Sequence, residues 1–356
     1  MKKIGIVTIY DDNNFGNRLQ NYAVQETIKK MNMKVISIKY QRDNEAVFKH
    51  KIKKVIRLFK WKFLKQYKIE KLKLFKEFNK NIIISKRMYN NKSISMVNKF
   101  NINSFIVGSD QVWNPDIKRL TDIELLNFTD KPKAAFSASF GISELPDEYK
   151  EKTKSSLSKF KAISVREDAG KEIIGELGIN KDVEVLVDPT MLLSAEEWDR
   201  VSNKPKNIKD GEKYILNYFL GKLPDEWDKE IERIAKENDC KIINILDEND
   251  SYFVSGPSEF LYLEKNAFLV CTDSFHSSVF SIIYDTPFVV FNRKDKHVSM
   301  NSRLDTLLSK FELENRKFNG SISDDLLKCD YSNAKKILEK EQKKSFDFLS
   351  KALREE

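Results

Sequence analysis

The residues best suited to chemistry stand in the stretch Phe268 to Phe291 (FLVCTDSFHSSVFSIIYDTPFVVF), which holds His276, one of only three histidines in the chain. An apolar run, Phe268–Cys271, is short enough for a buried strand and breaks at Thr272-Asp273-Ser274. From Ser277 the apolar spacing (Val279, Phe280, Ile282, Ile283) suits a short helix, which Asp285-Thr286-Pro287 stops before the next apolar run, Phe288–Phe291. A polar loop at the carboxyl end of a strand, beside a helix N-terminus, is where parallel sheets bind anions. His276 therefore stands where a phosphate or carboxylate would bind. A capped helix with a half-buried imidazole accounts for the same residues equally well.

Other candidates sit at comparable positions. The run Ile102–Val107 ends in Gly108-Ser109-Asp110-Gln111-Val112-Trp113-Asn114-Pro115. The glycine and serine permit close backbone approach, Asp110 stands at the strand end, and Trp113 offers a flat surface for a sugar ring. A capping aspartate followed by a core tryptophan is the competing reading, and taken alone it is the favoured one. Arg166 follows the strand Ala162–Val165; its planar fork suits an anion, or pairs with a neighbouring carboxylate. Asn17 and Arg18 close the Asn-rich loop after the first strand, Ile4–Ile9, where they line a cleft or merely cap and charge the surface. That loop is neither a GxGxxG fingerprint nor a P-loop. Paired His/Cys spacing for a metal is absent, as is the GxSxG of a hydrolase.

The elements that must position these residues alternate β and α. The first strand is followed by a helix, Leu19–Met31, and a strand, Val35–Tyr40. Later come strand Lys133–Ser139, helix Glu148–Lys159, strand Ala162–Val165, helix Lys171–Leu177 and strand Val183–Val187. A polar stretch, Ser194–Lys213, reads as an interdomain boundary. Beyond it the alternation restarts with strand Tyr214–Leu220, helix Asp225–Asn238 and strand Lys241–Ile245; a further helix opens at Ser255–Phe260. Asn301-Ser302-Arg303 caps a helix running to Phe311, and Ser332–Leu353 is one charged amphipathic helix. With 356 residues the chain is too long for one ordinary core. The expected fold is α/β: two Rossmann-like parallel β/α domains, 1–195 and 212–330, facing a cleft in a GT-B-like manner. The C-terminal helix, 332–356, is expected to pack back across both.

The net charge of +9 is concentrated: between Lys49 and Lys80 there are 13 Lys/Arg against two Glu, so the remainder of the chain is slightly acidic. Ile52, Val55, Ile56, Phe59 and Phe63 recur there at helical spacing, with Trp61 and Tyr67 nearby. This predicts a basic amphipathic helical insertion, 46–82, suited to an anionic membrane surface. Nucleic acid ranks second, lacking any recognition signature, and a solvated lysine-rich hairpin is the plain alternative. No run approaches a spanning helix, MKKIGIVTIYDDNN reads as a strand rather than a leader, and three scattered cysteines point to a reducing compartment. The expected location is cytoplasmic, peripheral at most, at the inner face of the plasma membrane.

LQNYAVQ, GSDQVWNP, SVRE, VDPTMLLSAEEW, TDSFHSSVFSIIYDTPF and NSRLDTLL follow one another in that order. The series resembles the polysaccharide pyruvyl transferase family over nearly the whole chain. That resemblance implies transfer of pyruvate from phosphoenolpyruvate, as co-substrate, to two hydroxyls of a sugar as a ketal. It implies no metal and no further cofactor. The acceptor would belong to a cell-wall or extracellular polysaccharide, or to its lipid-linked precursor. By the resemblance His276 contacts phosphate and acts as general acid, assisted by Ser274, Ser277 and Ser278 at the helix start. Arg166 and Arg303 recognise phosphate and carboxylate, and Asp110 is the base on the sugar. Asn17, Arg18 and Trp113 form the acceptor side. One departure is Ser274, where some members carry arginine; Arg303 or Arg293 would have to replace it. A nucleotide-sugar glycosyltransferase and a noncatalytic membrane-associated scaffold are the competing classes.

Overall fold

The computed structural model describes residues 1–41, 66–293 and 301–354. β1 (Lys3–Val7), α1 (Phe15–Lys30) and β2 (Lys34–Ser37) open the chain as a βαβ unit. Next come α2 (Gln66–Phe78), β3 (Ser104–Val107), β4 (Lys133–Ala138) and α3 (Asp147–Leu157). β5 (Ala162–Val165), α4 (Asp168–Glu176) and β6 (Val183–Val185) complete the first half. The six strands form one parallel sheet in the order β2-β1-β3-β4-β5-β6. Parallel strands covered on both faces must be apolar on both sides. Accordingly every residue of β3 and β4 is buried.

A short helix, α5 (Ala195–Asp199), follows, held by a Ser194/Glu197 capping box. The second sheet alternates β7 (Tyr214–Tyr218), α6 (Asp225–Glu237), β8 (Lys241–Asn244) and α7 (Pro257–Asn266). It continues with β9 (Leu269–Thr272), α8 (Phe275–Tyr284) and β10 (Phe288–Val290). Its order is β10-β9-β7-β8, again parallel. α9 (Asn301–Lys310) and α10 (Ser332–Leu353) end the chain. Each sheet reverses its strand order once, at β1/β3 and at β7/β9. The carboxyl ends of those pairs are where open α/β sheets bind ligands.

One apolar core runs through both halves. Phe15, the first residue of α1, stacks between Phe75 of α2 at 5.3 Å and Phe260 of α7 at 4.9 Å. α10 starts beside the second sheet, where Tyr331 donates to the Thr286 carbonyl at 3.2 Å. It finishes on the first, with Phe348 stacked 6.3 Å from Phe136 of β4.

Two expectations change. α1 begins at Phe15 rather than Leu19, because the Asn14 side chain caps it by accepting from Asn17 N at 2.9 Å. Asn17 and Arg18 therefore lie in the first helical turn. Of the predicted basic insertion, residues 46–65 lie outside the described residues. Over α2 the apolar side turns inward: Phe75 and Phe78 are buried, and the Lys71 ammonium sits 4.0 Å above the Phe253 ring. That face is spent on joining the two halves and is not presented to a membrane.

Candidate active site

The carboxyl ends of β1, β3, β5 and β6 supply the first half of the site. Past β3 the backbone passes so close to β4 that a Cβ on Gly108 would lie 2.2 Å from the Phe136 carbonyl oxygen. Asp110 follows, its Oδ2 accepting from Asn17 Nδ2 at 3.2 Å and its Oδ1 lying 3.8 Å from Arg166 Nη2. Asn17 is itself held, its oxygen accepting from Arg18 Nη2 at 2.7 Å and from Asp11 N at 3.0 Å. Arg166 donates from Nη1 to Asp188 Oδ2 at 2.8 Å. Asp188, just past β6, also accepts from the hydroxyls of Ser109 at 2.9 Å and Thr190 at 2.7 Å.

The second sheet brings His276, in the first turn of α8, and α9 brings Arg303. His276 Nε2 lies 3.8 Å from Asp188 Oδ2. Its ring rests on α1, where a Cβ at Gly16 would fall 2.2 Å from Nδ1. Glycine in the first turn of α1 is what admits the imidazole. Gln111, its amide oxygen toward Arg303, accepts from Nη1 at 2.9 Å and Nη2 at 3.2 Å. Glu167 Oε1 accepts from Ser139 Oγ at 2.9 Å and from the N–H groups of Phe140 and Gly141 at 2.8 and 3.1 Å, fixing the loop beneath.

Burial and close neighbours set the charge of these groups. Burial works to raise Asp188, but His276, Arg166 and the Thr190 N–H outweigh it and hold the carboxyl down at about 2. Asp110 is lowered in the same way, Arg166, His276 and Arg303 overcoming burial. His276 is pulled below its ordinary value by burial, Asp188 and Asp110 offsetting only part, while Arg166 and Arg303 add to the lowering. Arg303 drops to about 10 through burial and the neighbouring Arg166. Arg166 Nε and Nη2, Arg303 Nε and His276 Nε2 are all buried without a hydrogen-bond partner among the described residues. Buried donors of this kind are rare and call for an acceptor. Together with the first turn of α8 they suit a small oxyanion, with an imidazole in reach to move a proton.

The family model of polysaccharide pyruvyl transferase matches residues 14–295. The chain belongs to that family. Among curated proteins, none matches. A solved glycosyltransferase from Rickettsia africae ESF-5 is similar with a TM-score of 0.54 and 12% identity, covering 100% of both chains. A structure from Listeria monocytogenes, described as a UDP-N-acetylglucosamine 2-epimerase, is similar at 0.50 and 10% identity, covering 98% of this chain and 91% of that one. At these identities the likeness is one of fold: two Rossmann-like β/α halves of the GT-B kind.

In this pyruvyl transferase family member, His276, Asp110, Arg166, Arg303 and Asn17 converge from distant parts of the sequence. The others stand differently. Trp113 is fully buried between Phe140 at 5.2 Å and Phe160 at 6.3 Å, its Nε1 donating to the Glu124 carbonyl at 3.1 Å. No face is open to a sugar, so the stacking role falls; the turn folds its ring under the sheet. Arg18 is also wholly buried, 4.3 Å over the Tyr10 ring and bonded to the Ile9 carbonyl at 2.8 Å, and it reaches the site through Asn17. The Ser277 hydroxyl donates to Glu264 of α7, and that of Ser278 donates to the Ser274 carbonyl at 3.1 Å. Both hydroxyls are thus used within the helix layer, and Ser274 is the N-cap of α8. Arg293, offered as a substitute cation, lies 3.0 Å from Asp273. Sequence reasoning missed Gly16, Gln111, Glu167 and Asp188, and it gave Ser109 close backbone approach but not its bond to Asp188. Only Asp188 left a signal, a carboxylate at a strand end before proline. Among the described residues no helix is long and apolar enough to cross a membrane, and no cluster of three His, Cys, Asp or Glu could hold a metal ion.

Proposed function

We propose that this protein moves pyruvate from phosphoenolpyruvate onto two hydroxyls of one sugar, forming a cyclic ketal and releasing phosphate. The observation that carries the reading is the meeting of two buried guanidiniums and a buried imidazole, each with an unpartnered nitrogen, around two lowered carboxylates. The unpartnered N–H groups of the two guanidiniums suit a three-carbon donor bearing a carboxylate and a phosphate, since guanidiniums bind both groups through paired N–H bonds. Burial disfavours the charged imidazole in the free protein. Donor charge raises its proton affinity, so His276 gains a proton as the donor binds.

His276 then gives that proton to the methylene carbon, leaving an oxocarbenium-like centre at C2. The first sugar hydroxyl bonds to C2 while Asp110 takes its proton. Phosphate departs with the electron pair of its C2–O bond, and the second hydroxyl closes the ring as its proton passes to that phosphate. The proton on Asp110 restores His276. Asn17, held by Arg18, orients the acceptor side. The acceptor would be a sugar of a cell-surface polysaccharide or its lipid-linked precursor, met at the inner face of the plasma membrane.

Incubation with phosphoenolpyruvate and candidate lipid-linked sugars is expected to release phosphate and yield an acid-labile ketal. His276→Ala, folded by circular dichroism, is expected to lose about 10²- to 10⁴-fold in rate. Unchanged turnover would remove the assignment. Thermal stabilisation by UDP- or GDP-sugars but not by phosphoenolpyruvate would favour a glycosyltransferase instead.

A further inference from the structure

A second cleft, of about 420 Å³, opens on the carboxyl edge of the second sheet; its size falls in the range of ligand pockets. Phe219 and Lys222 wall it from the β7–α6 connection and Asp225 and Trp227 from the first turn of α6, with Asp273 after β9 and Arg293 after β10. It thus lies at the β7/β9 reversal of strand order. Asp273 and His276 are three residues apart, so their Cα atoms are separated by no more than about 11 Å. The cleft adjoins the transfer site without sharing its side chains.

The walls select a ligand class. The floor is aromatic, Trp227 and Phe219 both packing on Phe291 at 5.1 and 5.3 Å. The rim balances Lys222 and Arg293 against Asp225 and Asp273. Asp273 is already engaged: it lies 3.0 Å from Arg293 Nε and accepts from the N–H groups of Leu220 and Gly221 at 2.7 and 2.8 Å. α6 carries Asp225, Glu226 and Asp228 in its first turn. Its N-terminal dipole is therefore compensated, and a phosphate there would be repelled. Nucleoside diphosphates are disfavoured on this account. An uncharged polyhydroxylated ring fits instead, with an apolar face for the aromatics and hydroxyls for the charged rim.

We propose that this cleft binds an uncharged sugar unit of the acceptor glycan, next to the unit that receives pyruvate; the inference rests on the pyruvyl-transfer reading. The probes are the methyl glycosides of glucose, galactose, mannose and N-acetylglucosamine, added to the full chain carrying fluorotryptophan, with the Trp227 resonance assigned by Trp227→Phe. At least one glycoside is expected to shift that resonance saturably, while inorganic phosphate and UMP do not. The shift is expected to vanish in a Lys222→Ala, Asp225→Asn double variant, whose changes are at the surface. No shift with any glycoside, or a shift with UMP alone, would overturn the proposal. In the transfer assay the same variant is expected to raise KM about tenfold for an acceptor of several sugars. It is expected to leave a single-sugar acceptor and phosphoenolpyruvate unaffected; equal effects on both acceptor lengths also overturn it. Glycoside binding without pyruvate transfer separates the two ideas, keeping the sugar site and removing the transfer reading.

Discussion

His276 and Asp188 set each other's protonation. The carboxyl is held at about 2 and stays ionised across the working range, while burial keeps the imidazole below its ordinary value. In the free protein, the His276 ring resonances are therefore expected to titrate below the usual value of about 6.5. Phosphoenolpyruvate should move that midpoint upward, and its affinity should fall as pH rises through the new midpoint, because binding takes up a proton. A midpoint indifferent to phosphoenolpyruvate would exclude His276 as the acid. Asp188 also supports the fold. Its depressed value contributes stability that is present above the unfolded value near 4 and lost as pH falls toward 2. Asp188→Asn strands Arg166 in the interior, and urea unfolding at pH 7 is expected to show a loss of about 3–5 kcal/mol.

At the scale of elements, the site depends on how closely α1 meets α8. Alanine at Gly16 favours the helix by about 1 kcal/mol, yet its Cβ would lie 2.2 Å from the His276 ring. Gly16→Ala is expected to keep its far-UV circular dichroism and lose at least about tenfold in turnover as the imidazole is displaced. α8 is anchored from behind by Glu264 of α7, fully buried against the hydroxyls of Ser277 and Ser281 and raised by burial to about 8. A carboxyl raised in this way stabilises the fold fully below the unfolded value near 4.5, and that stability drains as pH rises toward 8. Glu264→Gln is expected to flatten the fall in Tm between pH 5 and 8, a loss on the order of several kcal/mol in the parent. An unchanged pH slope would mean that Glu264 is not the group responsible.

For the whole molecule, the decisive contact is Phe15 between Phe75 and Phe260, since it ties the first sheet to the second beside Gly16 and His276. Phe15→Ala is expected to cost about 3–5 kcal/mol and to abolish turnover even where the chain stays folded, measured by Tm and phosphate release. The lysine-rich stretch poses a separate test. In α2 the apolar side packs inward while Lys73 and Lys76 stay exposed, so the test is made on the lysines before Gln66. Replacing the lysines between Lys49 and Lys65 with glutamine is expected to weaken binding to phosphatidylserine vesicles at low salt; undiminished binding would assign that stretch to a solvated surface.

The alternation of apolar runs and amphipathic spacing determined the two sheets, the order of their strands in the chain and the closing helix, because local periodicity records which face each segment must bury. It also placed His276, Arg166 and Asp110 at strand ends, where any parallel sheet collects its ligands. The tertiary structure decided which of these meet. Asp188 becomes the partner of Arg166 and His276, Gly16 the seat of the imidazole and Trp113 a core ring, because such contacts join segments far apart in sequence. No local pattern records the partner, and only packing the two sheets together supplies it.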